Sequence, residues 1–130
     1  MSPTPDEFWN AWLTEPALRD LAERWLTSPN GGWTEDSEEL YRLIDCDPDQ
    51  ALKVILGAAQ LTTEPLMLAN LAAGPLEDFL GRHGERYLDV FHALALREQR
   101  LREVLDGVWQ GSMPKRVWHR IEILQQRAFH

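Results

Sequence analysis

The apolar residues of this chain recur at helical spacing, and no stretch alternates in the manner of a strand. The densest run is Ala51–Leu61. On a helix its apolar members cover an arc of roughly 220°, whereas a surface helix needs a stripe of only about 100°. The pattern therefore predicts a central helix buried on two sides, with Gly57 and Ala58 admitting a close neighbour. Asp47-Pro48-Asp49-Gln50 supplies its start: a capping carboxylate, a first-turn proline, and Gln at the capping-box position.

The other elements follow in order. Thr4-Pro5-Asp6-Glu7 opens a short helix carrying Phe8, Trp9, Ala11 and Trp12. Pro16 restarts the chain with Leu18, Leu21, Ala22, Trp25 and Leu26 in one stripe, and with Arg19–Glu23 and Asp20–Arg24 paired on the other side. Ser28–Gly32 is the clearest break. A helix over Ser37–Asp45 turns Leu40, Leu43 and Ile44 inward, with Tyr41 at its edge. Pro65 starts another with Leu66, Leu68, Ala69 and Leu71 inward. Gly74-Pro75 reads as a stop and a new start. Leu76, Phe79 and Leu80 carry the next helix, which Gly84 caps and His83 ends. Tyr87–Ala95 makes a longer helix and Leu101–Leu105 a shorter one ended by Gly107. Ser112 caps a last helix through Val117, Ile121, Leu124 and Ala128. The expectation is an all-α fold of about eight short helices, in one compact, irregular bundle or a solenoid-like stack. It forms one domain over 1–130: acidic N-terminal helices over 1–46 and a core over 47–130. No repeat of fixed period is present.

Composition narrows the class. With 44% apolar residues and six tryptophans the chain is not of disordered type. Its apolar runs are too short and interrupted to span a bilayer, and its N-terminus lacks a secretory pattern. The lone Cys46 cannot form an internal disulfide and has no metal-type Cys partner, which favours a reducing cytoplasm. Charge is uneven: residues 1–65 hold 13 acids and 4 bases, and residues 66–130 hold 8 and 9, within a net charge of −8. The acidic half repels phosphates, so no nucleic acid is expected as a partner, while a basic protein would be drawn to it. Arg97, Arg100, Arg102, Lys115, Arg116 and Arg120 interleave with Glu98, Glu103 and Glu122, as on self-neutralising helix faces.

Candidate chemistry is sparse. Asp89 and His92 could pair on one helix face but fall short of the three or four ligands a metal needs. Asp45 and Asp47 flank Cys46 and blunt its nucleophilicity. Gly-x-Ser-x-Gly and glycine-rich phosphate loops are missing. No catalytic residue, metal or cofactor is assigned. A small enzyme would have to gather Glu77, Asp78, Arg82, His83 and His92 around one polar pocket. The favoured reading is a non-enzymatic protein-binding module of immunity or antitoxin type, monomer or homodimer, that binds a basic partner; a homodimer serving only as a scaffold is the other alternative. The module's partner-binding surface would centre on Trp33, Glu35, Asp36, Glu38 and Glu39.

GPLEDFLGRHGERYLDVF and the later LDGVWQGSMPKRVWHRI add a resemblance. These segments resemble an uncharacterised family of small bacterial helical proteins that share a Gly-Pro-Leu-Glu-Asp turn and helix and a C-terminal Gly-Val-Trp followed by a Val-Trp helix. The likeness runs from about Asp47 to Leu124. It implies a bacterial cytoplasmic protein with an α-helical fold, and it brings no activity or catalytic residues. It also implies that Gly74, Pro75, Leu76, Glu77, Asp78, Trp109 and Trp118 are architectural, with Trp109 and Trp118 wedged between helices.

Overall fold

The computed structural model describes residues 3–27 and 34–127. The Ser28–Gly32 break, Trp33 and Ala128 lie outside the described residues. Those residues form eight α-helices and no strand: α1 (Pro5–Thr14), α2 (Pro16–Leu26), α3 (Glu35–Cys46), α4 (Pro48–Leu61), α5 (Pro65–Leu71), α6 (Glu77–Arg97), α7 (Gln99–Leu105) and α8 (Lys115–Arg127). Their starts follow from capping chemistry. The side chains of Thr4, Thr34 and Asp47 accept from the backbone N–H of Glu7, Ser37 and Gln50, at 3.2, 3.3 and 3.4 Å. Because Thr34 is the cap, α3 begins at Glu35, two residues ahead of the expected Ser37.

Helix α4 is the axis of the molecule. It touches α1, α2, α3, α5, α6 and α7, and Ala51, Leu52, Val54, Ile55, Leu56, Ala58 and Ala59 are all buried. Gly57 lets α1 in: a β-carbon there would stand 3.1 Å from Cβ of Trp12. The packing is compact, because chain-distant helices close on one another. Phe8 of α1 meets Tyr87 of α6 edge to face at 5.9 Å, and Asp6 pairs with Arg97 at the far end of α6. On the other side of α4, Arg100 donates to the carbonyls of Ala59 and Thr62. This guanidinium therefore tethers α7 to the C-terminal end of the central helix, where a cation is favoured.

The break expected at Gly74-Pro75 does not exist. Residues Ala72–Leu76 form a π-turn that joins α5 to α6 in one continuous rod. The widened register is visible in the N–H of Glu77, which donates to the carbonyl of Ala72, five residues back. A proline in a regular helix drives its ring into the carbonyl four residues earlier; the π register relieves that conflict. The apolar pattern explains the insertion. Buried positions before the turn (Leu71, Ala72, Pro75) and after it (Leu80, Gly84, Tyr87, Phe91) are displaced by roughly 140° if the helix is wound regularly. One extra residue in the turn takes up about 100° of this and brings both sets close to one face.

Four further expectations are corrected. Gly84 is no cap and His83 no helix end, since both lie inside α6; Gly84 is buried where α8 crosses. Ser112 lies three residues ahead of α8 rather than at its cap position, and the Trp118 N–H donates to the carbonyl of Pro114. Leu66 is 70% exposed, because on a helix it shares its face with Ala69 and Ala73, opposite Leu68, Leu71 and Ala72. Trp109 is not wedged between helices but 75% exposed, on the loop between α7 and α8; Trp118 does pack against the core, half-buried.

Candidate binding crevice

Helix α3 is fastened along both flanks, and this divides the acidic cluster. At 100° per residue, Asp36 and Glu39 turn toward α2, Tyr41 and Asp45 turn toward α6, and Glu35 and Glu38 point outward between them. Arg24 of α2 takes the first pair, 2.5 Å from Asp36 and 3.6 Å from Glu39, while also bonding Asp20. Asp36 and Glu39, two of the acids expected to centre the partner surface, are therefore tied to α2. Glu35 and Glu38 remain exposed.

The second flank is held by α6. Arg82 pairs with Asp45. Nε2 of His83 lies 2.6 Å from the carbonyl oxygen of Ile44. A carbonyl can only accept, so that nitrogen carries the proton. The bond satisfies one of the last-turn carbonyls that a helix leaves without an internal partner. The His83 ring also packs 5.6 Å from that of Phe79.

Between these ties the π-turn, α3 and the α7–α8 loop enclose a crevice of about 240 Å³, lined by Tyr41, Ala73, Gly74, Glu77, Asp78 and Ser112. Burial holds the Asp78 carboxyl above the usual carboxylate range, partly offset by the nearby His83. Its Oδ2 is buried with no hydrogen-bond partner. Nε of Arg82 stands 3.3 Å from that oxygen without bonding geometry and directs a long 3.4 Å bond to Oδ1 instead. Burial, and then the charges of Asp78 and Glu77, push the Tyr41 phenol up as well. Glu77 accepts from the backbone N–H of Trp109 at 3.4 Å. Gly111 makes this approach possible: its φ is +50°, and a β-carbon there would overlap Oε1 of Glu77. At the opposite wall, a β-carbon on Gly74 would stand 3.1 Å from the Tyr41 hydroxyl.

The crevice thus brings together Glu77 and Asp78 and leaves the expected histidines out. His83 is committed to Ile44. His92 lies 15 positions beyond Glu77 on α6, about 22 Å along the axis. What converges is two carboxylates, which only accept hydrogen bonds and favour cations, with a phenol and a hydroxyl that can donate or accept. Among the described residues no group of three His, Cys, Asp or Glu could hold a metal ion, and no helix is long and apolar enough to cross a membrane. Tyr41, Ser112 and Gly111 were not foreseen as parts of one site, since they come from separate segments and nothing local marks their meeting.

An all-α protein built on a buried axial helix, with an acidic crevice at a π-turn, is the class these features define. Residues 27–129 match a model described as a family of unknown function (DUF6869), and the chain belongs to that family. The match begins twenty residues ahead of Asp47 and takes in α3. It leaves α1 and α2 outside, although both pack on α4. No curated protein and no solved structure matches the chain.

Proposed function

We propose that this protein is a non-enzymatic binding module, of immunity or antitoxin type, that takes a basic protein partner in the cytoplasm. Its surface is the outward edge of α3, where Glu35 and Glu38 are exposed, continued through Tyr41 into the crevice at Glu77 and Asp78. One observation carries the reading: a carboxylate lines an open crevice and one of its oxygens lacks a donor. Buried polar groups are normally satisfied, so this oxygen is open to a donor. Electrostatic attraction to such a face acts mainly on the rate of encounter. The lone exposed Cys46 suits a reducing compartment.

The test is capture of the partner from native cells, followed by association kinetics across ionic strength. A basic partner is expected, with an on-rate falling about tenfold or more from low to high salt. Glu35→Gln with Glu38→Gln should slow association further, whereas Asp36 and Glu39 are unsuitable targets because they hold Arg24. An acidic partner, or an on-rate indifferent to salt and to both substitutions, overturns the proposal.

A further inference from the structure

We infer that the crevice between α3, the π-turn and the α7–α8 loop is a socket for one arginine side chain of the partner, its guanidinium held by Glu77 and Asp78 beside the exposed Trp109. The inference rests on the binding function proposed above. It names the group that is recognised and the place that receives it.

Size comes first. Pockets that hold whole small-molecule ligands run to about 300–1,000 Å³. At about 240 Å³ this one has room for a single side chain. Its polar lining includes two carboxylates, which only accept, so an entering group that donates hydrogen bonds is favoured, the more so if positive. Asp78 already shows the deficit, with one oxygen buried and unbonded. The native cation nearby fills the role in part: Arg82 pairs with Asp45 on the flank of α3, and its Nε stands 3.3 Å from Oδ2 and 3.4 Å from Oδ1 of Asp78, with bonding geometry to Oδ1 alone.

The rim supplies the second half of the recognition. Trp109 is the most exposed large apolar side chain among the described residues, at 75%. Its backbone N–H is bonded to Glu77, which fixes the indole's attachment point at the edge of the crevice. The left-handed Gly111 and the unsubstituted Gly74 keep the two walls at their present separation. A pair of carboxylates suits a planar, five-donor guanidinium better than an ammonium. The guanidinium bonds carboxylates in a fork and stacks on indole, whereas lysine offers a compact, strongly hydrated point charge.

The experiment is an amide and indole NMR titration of the full chain with N-acetyl-arginine methylamide. Its lysine counterpart and the neutral citrulline counterpart serve as comparisons. The arginine probe should shift Tyr41, Glu77, Asp78, Ser112 and the Trp109 indole in a saturable, salt-sensitive manner. The lysine probe should bind several-fold more weakly and the citrulline probe not at all. Asp78→Asn and Glu77→Gln, each checked for an otherwise unchanged spectrum, should weaken the arginine probe about tenfold, and Trp109→Ala should weaken it several-fold. No saturable shift at these residues, equal response to citrulline, or indifference to all three substitutions overturns the socket. Its failure is separable from that of the binding function. A basic partner whose association depends on Glu35 and Glu38 but not on Glu77, Asp78 or Trp109 sinks the socket alone. A saturable arginine response without any basic partner sinks the function and leaves the socket standing.

Discussion

Gly84 of α6 faces Val117 of α8 so closely that a β-carbon on residue 84 would stand 2.7 Å from Cγ1 of Val117. The two helices meet through this missing side chain. Alanine at 84 gains about 1 kcal/mol of helix propensity. Overpacking a close contact costs about 1–3 kcal/mol, and a β-branched valine has little rotamer freedom to yield. Gly84→Ala should therefore destabilise the protein, by up to about 2 kcal/mol in chemical denaturation. Val117→Ala should absorb part of that loss in the double variant. Strict additivity of the two substitutions would show that the contact is not the cause.

Gln60 ties α1 to the axial helix. Its Oε1 accepts from the Trp12 indole at 2.8 Å, and its Nε2 donates to the carbonyls of Trp9 at 2.7 Å and Leu56 at 3.0 Å. Gln60→Ala strands the indole N–H in a partly buried site, at a cost of about 1–3 kcal/mol. The loss should be local first. Amide exchange in α1 is expected to quicken more than exchange in α6. A uniform change across all helices, or no change in α1, contradicts this.

The two tyrosines make alkaline stability measurable. Tyr87 donates to Asp49, and burial, then that bond and its charge, raise its phenol well above the ordinary value. Tyr41 is raised from its model-peptide value of 10.0 in the same direction. A folded pKa above the unfolded one means that the stabilisation is complete below about pH 10 and is lost as pH climbs past it. Tyrosinate absorbance should therefore not rise near pH 10 while the fold persists, and ionisation should accompany unfolding. Tyr87→Phe should flatten the alkaline loss of stability. A tyrosine that titrates normally in the folded protein would refute this for that residue.

Much of the fold could be read along the chain because its causes are local. Thr4 and Asp47 cap their own helices, and the wide apolar arc of Ala51–Ala59 can only belong to an axis enclosed by others. Gly74-Pro75 misled because local punctuation outweighed a longer-range signal: the apolar face resumes after it, displaced by one residue. Leu66 misled because a two-turn helix offers too few positions to fix a face. The crevice was half legible. Glu77 and Asp78 stood out as neighbours, but Tyr41 and Ser112 join them only through tertiary packing. The His83 side chain likewise found its partner on α3, a choice no spacing within α6 could announce.

The wide turn at Ala72–Leu76 also makes chain length a structural variable in its own right. Substitutions there alter what the groove touches, but none can take up the surplus residue. Excising Ala73 could: the rod would rewind into uniform coils, the Gly74 wall would close toward Tyr41, and α6 would be swung by about a quarter turn or more against the bundle. Groove and interior are thus geared together by a single count, so a lone codon lost at this spot should do more harm than any exchange of one amino acid for another.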